Sequence, residues 1–273
     1  MSQAKEHLPP RRRVHHFAEM KRTGTKITSI TAYDYPTGLV AEAAGVDIVL
    51  VGDSLGMVAL GFDTTIPVTL DNMVHHTAAV RRAVKNSFLV ADLPFLTYHG
   101  SLELTVKNAG RLVQESGAEA IKMEGGTAIA DDIRAVTAAG IPVMGHIGLQ
   151  PQSVHKLGGF RVQGKDKTSA ERLMEDALAV QEAGAFAIVL EAMDTDLARE
   201  VTEKLAIPTI GIGAGRQCDG QVLVITDLAG IIPGKSPRLA RRYAETGVTM
   251  NEAVAQFCDD VRTGSFPEEK HEY

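Results

Sequence analysis

The chain has 273 residues, of which 44% are hydrophobic and 23% charged, an ordinary globular composition that can bury a core as one barrel-sized domain or two smaller ones. Acidic side chains outnumber basic ones by 34 to 28, for a formal net charge of −6, so there is no broad positive field to attract nucleic acid or anionic lipid. Aromatics reach only 5% with no Trp, and Cys218 and Cys258 form neither a disulfide framework nor a metal-binding spacing; a reducing cytoplasm is expected.

In chain order, residues 1–12 read as a flexible N-terminal arm. The opening MSQAKEHLPPRRR has no apolar stretch after its charges, so no secretory signal is expected, and Arg11, Arg12 and Arg13 read as solvated. Residues 13–22 predict an extra helix closing the bottom of the fold. Short apolar, β-branched runs then recur at 26–31 (KITSIT), 47–51 (DIVLV), 88–91 (FLVA), 118–122 (AEAIK), 142–145 (PVMG), 185–190 (AFAIVL), 208–212 (PTIGI) and 221–225 (QVLVI). Most are continuous in hydrophobicity, as strands covered on both faces require. Between many of them lie segments of helical period. Ser101 is the expected N-cap and Gly117 the stop of one, Ser169 and Gly184 bracket another, Thr195 precedes a third, and a Thr249–Glu252 capping box opens the last, which ends near Gly264. No run approaches the ~20 apolar residues that span a bilayer.

Strand followed by helix, repeated to eight strands in this length, predicts an α/β fold of the (β/α)8 TIM-barrel type. It is read as a single domain over 1–273 with a C-terminal tail at 265–273; a doubly wound sheet is the alternative. Two connections are longer than the fold needs, at 56–68 and 147–167. Both follow strands and so belong to the C-terminal face where active sites form. The second carries Gly158, Gly159 and Gly164 among Lys156, Arg161 and Lys165, a composition suited to a lid over an anion.

The strand ends supply Tyr33 and Asp34, Asp53 and Ser54, Asp92, Lys122 and Glu124, His146, and Glu191. Asp53, Asp92 and Glu124 fall on consecutive strands. Three carboxylates converging without compensating cations repel one another unless a divalent metal neutralises them, and all-oxygen ligands favour Mg2+, with Mn2+ the alternative. No His pair or Cys set is spaced for zinc.

The motifs VGDSLGM, ADLPF, KMEGG, GHIGLQPQS, LEA and IGIGAG, with TAYDY and PVT, stand in order between Thr31 and Pro233 and closely resemble the ketopantoate hydroxymethyltransferase family. The resemblance implies Mg2+-dependent transfer of a hydroxymethyl group from 5,10-methylenetetrahydrofolate to 3-methyl-2-oxobutanoate, giving 2-dehydropantoate, the first committed step of pantothenate synthesis. It also implies roles. Asp53 and Asp92 match direct metal ligands, and Glu124 the acid that holds the metal or its waters. Ser54 and Lys122 match groups that bind the substrate carboxylate, Asp53 and Asp92 contribute to substrate binding as well, His146 matches a pocket residue near the transferred carbon, and Glu191 the proton acceptor. A cytoplasmic homo-oligomer, a decamer in this family, acting on small molecules and not on nucleic acid or membrane, is implied too. Met123 and Gln150 depart from the usual motif without touching those roles.

Other readings compete. A Mg2+-dependent 2-oxo-acid C–C or C–P lyase or mutase of the phosphoenolpyruvate mutase/isocitrate lyase superfamily keeps the barrel and the metal, although neither cysteine falls at a fitting strand end. A non-catalytic barrel gives no reason for the full acid set. Gly211, Gly213 and Gly215 lack the helix of a dinucleotide site, and close backbone approach explains them better. His75 and His76 are expected to cap or pack; His155 is a secondary candidate in the long loop.

Overall fold

The computed structural model describes residues 10–159, 161–234 and 237–273, without the Leu157 side chain. Most of the expected arm and Phe160 of the long loop therefore lie outside the described residues. Eight strands, β1 (Ile27–Thr31), β2 (Ile48–Val51), β3 (Phe88–Asp92), β4 (Ala120–Glu124), β5 (Val143–Gly148), β6 (Ala187–Glu191), β7 (Thr209–Ile212) and β8 (Gly220–Leu223), pair in chain order into a closed barrel. Every pairing is parallel. This is the expected (β/α)8 barrel.

The helices are α1 (Val14–Thr23), α2 (Tyr35–Ala43), α3 (Leu55–Val58), α4 (Leu70–Ala83), α5 (Leu102–Ser116), α6 (Ala130–Ala138), α7 (Val154–Leu157), α8 (Lys167–Glu182), α9 (Thr195–Lys204), α10 (Ile225–Leu228) and α11 (Thr246–Thr263). Ser101 caps α5 through Leu104 N and Gly117 ends it at φ 76°, the left-handed stop that glycine adopts without strain. Two starts differ from expectation. Asp166, not Ser169, caps α8, because its carboxylate accepts from Ser169 N and a charged acceptor outcompetes a hydroxyl there. Helix α11 begins at Thr246, one turn ahead of the expected capping box.

The chain divides into two compact units at Leu223 and Val224. The first holds all eight strands. In the second, α10 and α11 are joined by a segment whose Tyr243 and Thr246 amides donate to the Leu228 and Ala229 carbonyls, and α11 buries none of its residues.

Strands β2, β3, β4 and β5 are buried along their whole length, which explains the unbroken apolar runs IVLV of β2 and FLVA of β3. At the strands' N-terminal ends, α1 inserts the fully buried Phe17, whose ring centroid lies 5.4 Å from that of Phe88 and 5.8 Å from that of Phe186. Burying such a ring contributes roughly 1.5–3 kcal/mol, so α1 is the predicted floor. Before it, Arg11 and Arg13 are exposed as expected, and Arg12 departs from the solvated-arm expectation. Arg12 pairs with Asp47 at 2.8 Å and its backbone N donates to Asn86 O, so the buried carboxylate draws that guanidinium onto the barrel, while the exposed Arg11 pairs with Glu119 at 2.8 Å.

Candidate active site

Register and pleat bring the predicted residues to one rim. Asp53 and Ser54 turn out of β2, while Asp92 ends β3 directly beside Lys122 of β4. Lys122 and Glu124 are two apart on β4 and so share a face, with buried Met123 on the other side. Glu124 is level with His146 of β5, and Gly148 with Glu191 at the end of β6. Strands β4 and β5 extend past their expected ends, which makes Glu124 and His146 strand residues rather than loop residues.

The contacts form one continuous chain. Asp53 N donates to Asp92 Oδ2 at 3.0 Å. Lys122 Nζ stands 3.2 Å from Asp92 Oδ1, 3.8 Å from Glu124 Oε1 and 3.1 Å from His146 Nδ1. His146 then bridges two acids, with Nδ1 3.4 Å from Glu124 Oε1 and Nε2 3.2 Å from Glu191 Oε2. Asp53, Asp92, Lys122, Glu124 and His146 are each 4% exposed or less, whereas the Glu191 side chain is 17% exposed and is the member best placed to meet a substrate. Ser54 Oγ lies 2.8 Å from Tyr33 OH, and the Tyr33 carbonyl contacts His76 Nδ1 at 2.6 Å, which gives that histidine the packing role expected of it. His155 is exposed on α7. Lys156, Arg161 and Lys165 of the long loop are exposed too.

Lys122 and His146 lie among the carboxylates, Lys122 against Asp92 and Glu124 and His146 against Glu124. Among the described residues no three of His, Cys, Asp and Glu form a ready-made metal cluster. The titration pattern follows the same division. Burial raises the Asp53 carboxyl well above its usual 3.8, and Asp92 and Glu124 add to the rise against Lys122. Burial also raises Asp92, although Lys122 opposes it. For Glu124, burial is outweighed by His146 and Lys122, and its carboxyl is held below 4.5. Burial and Lys122 push the His146 imidazole down, yet Glu124 and Glu191 outweigh them and hold it at about 9. Lys122 is held above its usual 10.5 by the acids around it, despite burial.

Sequence reasoning passed over Gln152 and Tyr98. Gln152 Nε2 donates to Asp53 Oδ2 at 2.8 Å, and its backbone N donates to Glu124 Oε2 at 3.1 Å; Tyr98 OH donates to Gln152 Oε1 at 2.7 Å. Gln152 sits in the GHIGLQPQS motif, but nothing in a periodicity pattern shows that its amide reaches across to β2. The backbone around Glu191 is constrained as well. Ala192 holds φ 44° and Gly148 φ 93°, and Leu149 N donates to the Glu191 carbonyl at 2.8 Å. A methyl on Gly148 would collide with that carbonyl oxygen.

The residues fit a divalent cation. Four carboxylates face two cations in this set, and the uncompensated charge falls at the Asp53–Asp92 end, where both carboxyls are raised. Asp92 Oδ1 is buried without a directed hydrogen bond, and the donors offered are oxygens. Mg2+ is held in proteins by one or two carboxylates and its waters, not by a full cage.

An eight-stranded parallel barrel with its ionisable groups gathered at the C-terminal rim defines a (β/α)8-barrel enzyme. Solved structures of similar fold include phosphonopyruvate hydrolase in complex with oxalate and Mg2+, at TM-score 0.60 and 14% identity over 94% of this chain and 92% of that one. Another is 2,3-dimethylmalate lyase, a phosphoenolpyruvate mutase/isocitrate lyase superfamily member, at TM-score 0.61 and 16% identity over 97% and 90%. At such identities the likeness is one of fold. The chain itself belongs to the ketopantoate hydroxymethyltransferase family, whose model matches residues 11–269, a longer span than the motifs alone cover. It is 51% identical over 254 residues to the 3-methyl-2-oxobutanoate hydroxymethyltransferase of Syntrophus aciditrophicus, covering 93% of each chain. To the enzyme of the same name from Carboxydothermus hydrogenoformans it is 53% identical over 255 residues, covering 93% of this chain and 92% of the relative.

Proposed function

We propose that this chain transfers a one-carbon unit from 5,10-methylenetetrahydrofolate to C3 of 3-methyl-2-oxobutanoate, giving 2-dehydropantoate after addition of water. The observation that carries this reading is the unbroken chain of contacts from the Asp53–Asp92 pair through Lys122, Glu124 and His146 to Glu191. It puts a grip for a 2-oxo acid and a partly exposed base on one rim, as removal of a proton next to a ketone requires.

Lys122 Nζ and Ser54 Oγ take the substrate carboxylate, Lys122 by charge and Ser54 by a hydroxyl that Tyr33 orients. Asp53 and Asp92, with Glu124 behind them, would hold Mg2+, which supplies Lewis acidity at the keto oxygen; Mn2+ suits the same oxygens. Glu191 takes the C3 proton onto its carboxylate. The charged His146 beside it, with Nε2 3.2 Å from Oε2, fixes its rotamer. His146 also screens Glu191 from Glu124, so that the two acids do not repel directly. Water adds to the methylene carbon of the donor and its two C–N bonds break, which releases tetrahydrofolate and leaves the one-carbon unit at the formaldehyde level. The carbon left nucleophilic by proton loss adds to that unit, and the resulting alkoxide takes up the proton that Glu191 received, giving the hydroxymethyl group. Cytoplasmic location and assembly into a homo-oligomer, with a decamer as the form, belong to this proposal. Val254, Phe257 and Val261 exposed on α11 support association.

The test is product formation. Protein, Mg2+, 3-methyl-2-oxobutanoate and 5,10-methylenetetrahydrofolate should yield 2-dehydropantoate by mass spectrometry, with none from Glu191→Gln. Folded, metal-supplied protein that forms no product would refute the assignment.

A further inference from the structure

We infer that Gln152 is a positioning residue for the metal end of the site, anchored in that task by Tyr98. The inference rests on the reading of Asp53 and Asp92 given above. Gln152 is 4% exposed and Tyr98 is fully buried, so each of their polar groups must be satisfied within the protein. A glutamine side chain has two amide hydrogens and one carbonyl oxygen, and all are used here. The hydrogens go to Asp53 Oδ2 at 2.8 Å and to Leu93 O at 2.9 Å. The carbonyl accepts from Tyr98 OH at 2.7 Å. Tyr98 OH has a single hydrogen, which goes to this closer partner, and its oxygen accepts from Glu124 N at 3.1 Å.

One residue thus ties together the ends of three strands. Its side chain holds Asp53 after β2 and Leu93 after β3, while its backbone N holds the Glu124 carboxylate of β4 at 3.1 Å. Gln152 is also the only described residue that donates hydrogen bonds to both the Asp53 and the Glu124 carboxylates. Without it, Asp53 would be left buried beside Asp92 and would lose the amide donor to Oδ2. A buried carboxylate that loses such a donor reorients, and that costs metal affinity. Because Gln152 opens the long connection between β5 and α8, the same amide sets where that loop leaves the barrel.

The experiment is a Mn2+ titration of the substrate-free full chain, read by the electron paramagnetic resonance signal of the free ion, for wild type, Asp53→Asn, Gln152→Met and Tyr98→Phe. Thermal melting of each metal-free protein runs alongside. Gln152→Met should weaken Mn2+ about 10–100-fold, the range found when groups supporting metal ligands are removed, and Tyr98→Phe should weaken it less but in the same direction. A purely structural role predicts lower melting temperatures with Mn2+ affinity within twofold of wild type, and that result would overturn the inference. If Gln152→Met does not fold, Tyr98→Phe decides alone: weakened binding supports positioning, unchanged binding overturns it. Wild type that binds no Mn2+, or binding that survives Asp53→Asn, would bring down the metal reading itself and this inference with it.

Discussion

Lys122 is the buried cation on which the carboxylates of the rim depend, and Lys122→Met tests that dependence. The substitution keeps the length of the side chain and removes its charge, leaving Asp92, 3.2 Å from the ammonium, and Glu124, 3.8 Å from it, without that partner. Deleting one member of a buried ionic set costs about 3–5 kcal/mol, because the remaining charges stay desolvated. At ~2–4 °C per kcal/mol for a unit of this size, the midpoint should fall by about 6–20 °C. The pH dependence has a defined sign. Asp53 is already raised above 3.8 by burial and by Asp92 and Glu124, with Lys122 acting against the rise, so removing the lysine raises it further. An acid whose folded pKa is raised destabilises the fold above that pKa, so the deficit should be largest at neutral pH and shrink as pH falls through the raised value. Thermal melting in a chelator, then in Mg2+, is the assay. Mg2+ should restore more stability to the variant than to wild type, since the variant carries more uncompensated charge at the Asp53–Asp92 end. A variant that melts with wild type in the chelator would refute the view that Lys122 neutralises this set.

Three other consequences can be checked by melting and turnover. Glu42 accepts from Asn86 N, Asn86 Nδ2 and Ser87 N; burial raises its carboxyl, but these donors outweigh it and hold the pKa below 4.5. Glu42→Gln should cost about 1.5–3 kcal/mol in denaturant titrations at neutral pH, with the difference disappearing as pH falls from 4.5 through the depressed value. His146 is raised from 6.5 to about 9, so its stabilisation is complete below 6.5 and lost as pH rises through about 9. The metal-free protein should melt progressively lower across that window, and His146→Gln should flatten the slope. Gly148→Ala places a methyl against the Glu191 carbonyl at φ 93°. It should cost about 1–3 kcal/mol from backbone strain and lower kcat by displacing the base, whereas an unchanged kcat would show that Glu191 tolerates the shift.

The fold was legible because parallel strands buried on both faces show as apolar runs, and because Gly117 and Gly184 mark the ends of α5 and α8. The rim was legible for a related reason: a barrel puts strand ends at one face, so Asp53, Asp92, Lys122, Glu124, His146 and Glu191 could be gathered by position alone. What escaped was contact between side chains distant in sequence. The Gln152 amide meets Asp53 ninety-nine residues away, and no spacing rule reports that meeting. The cations within the acid set were named individually, but the sequence carries no sign that His146 stands between Glu124 and Glu191 or that Lys122 reaches both Asp92 and Glu124. Arg12 looked solvated because a basic run reads the same whether or not Asp47 waits to pair with it. The early start of α11 escaped because no side chain caps it, so no cap residue marks it.

The most direct measurement of the central claim is exchange of the C3 proton of 3-methyl-2-oxobutanoate with solvent deuterium, followed by NMR in Mg2+ without the folate co-substrate, for wild type and Glu191→Gln. The account predicts metal-dependent exchange by the wild type and its loss in the variant, by a factor of about 10²–10⁴, the usual contribution of a positioned general base. Exchange that proceeds equally in Glu191→Gln would contradict it, since proton removal would then belong to another group.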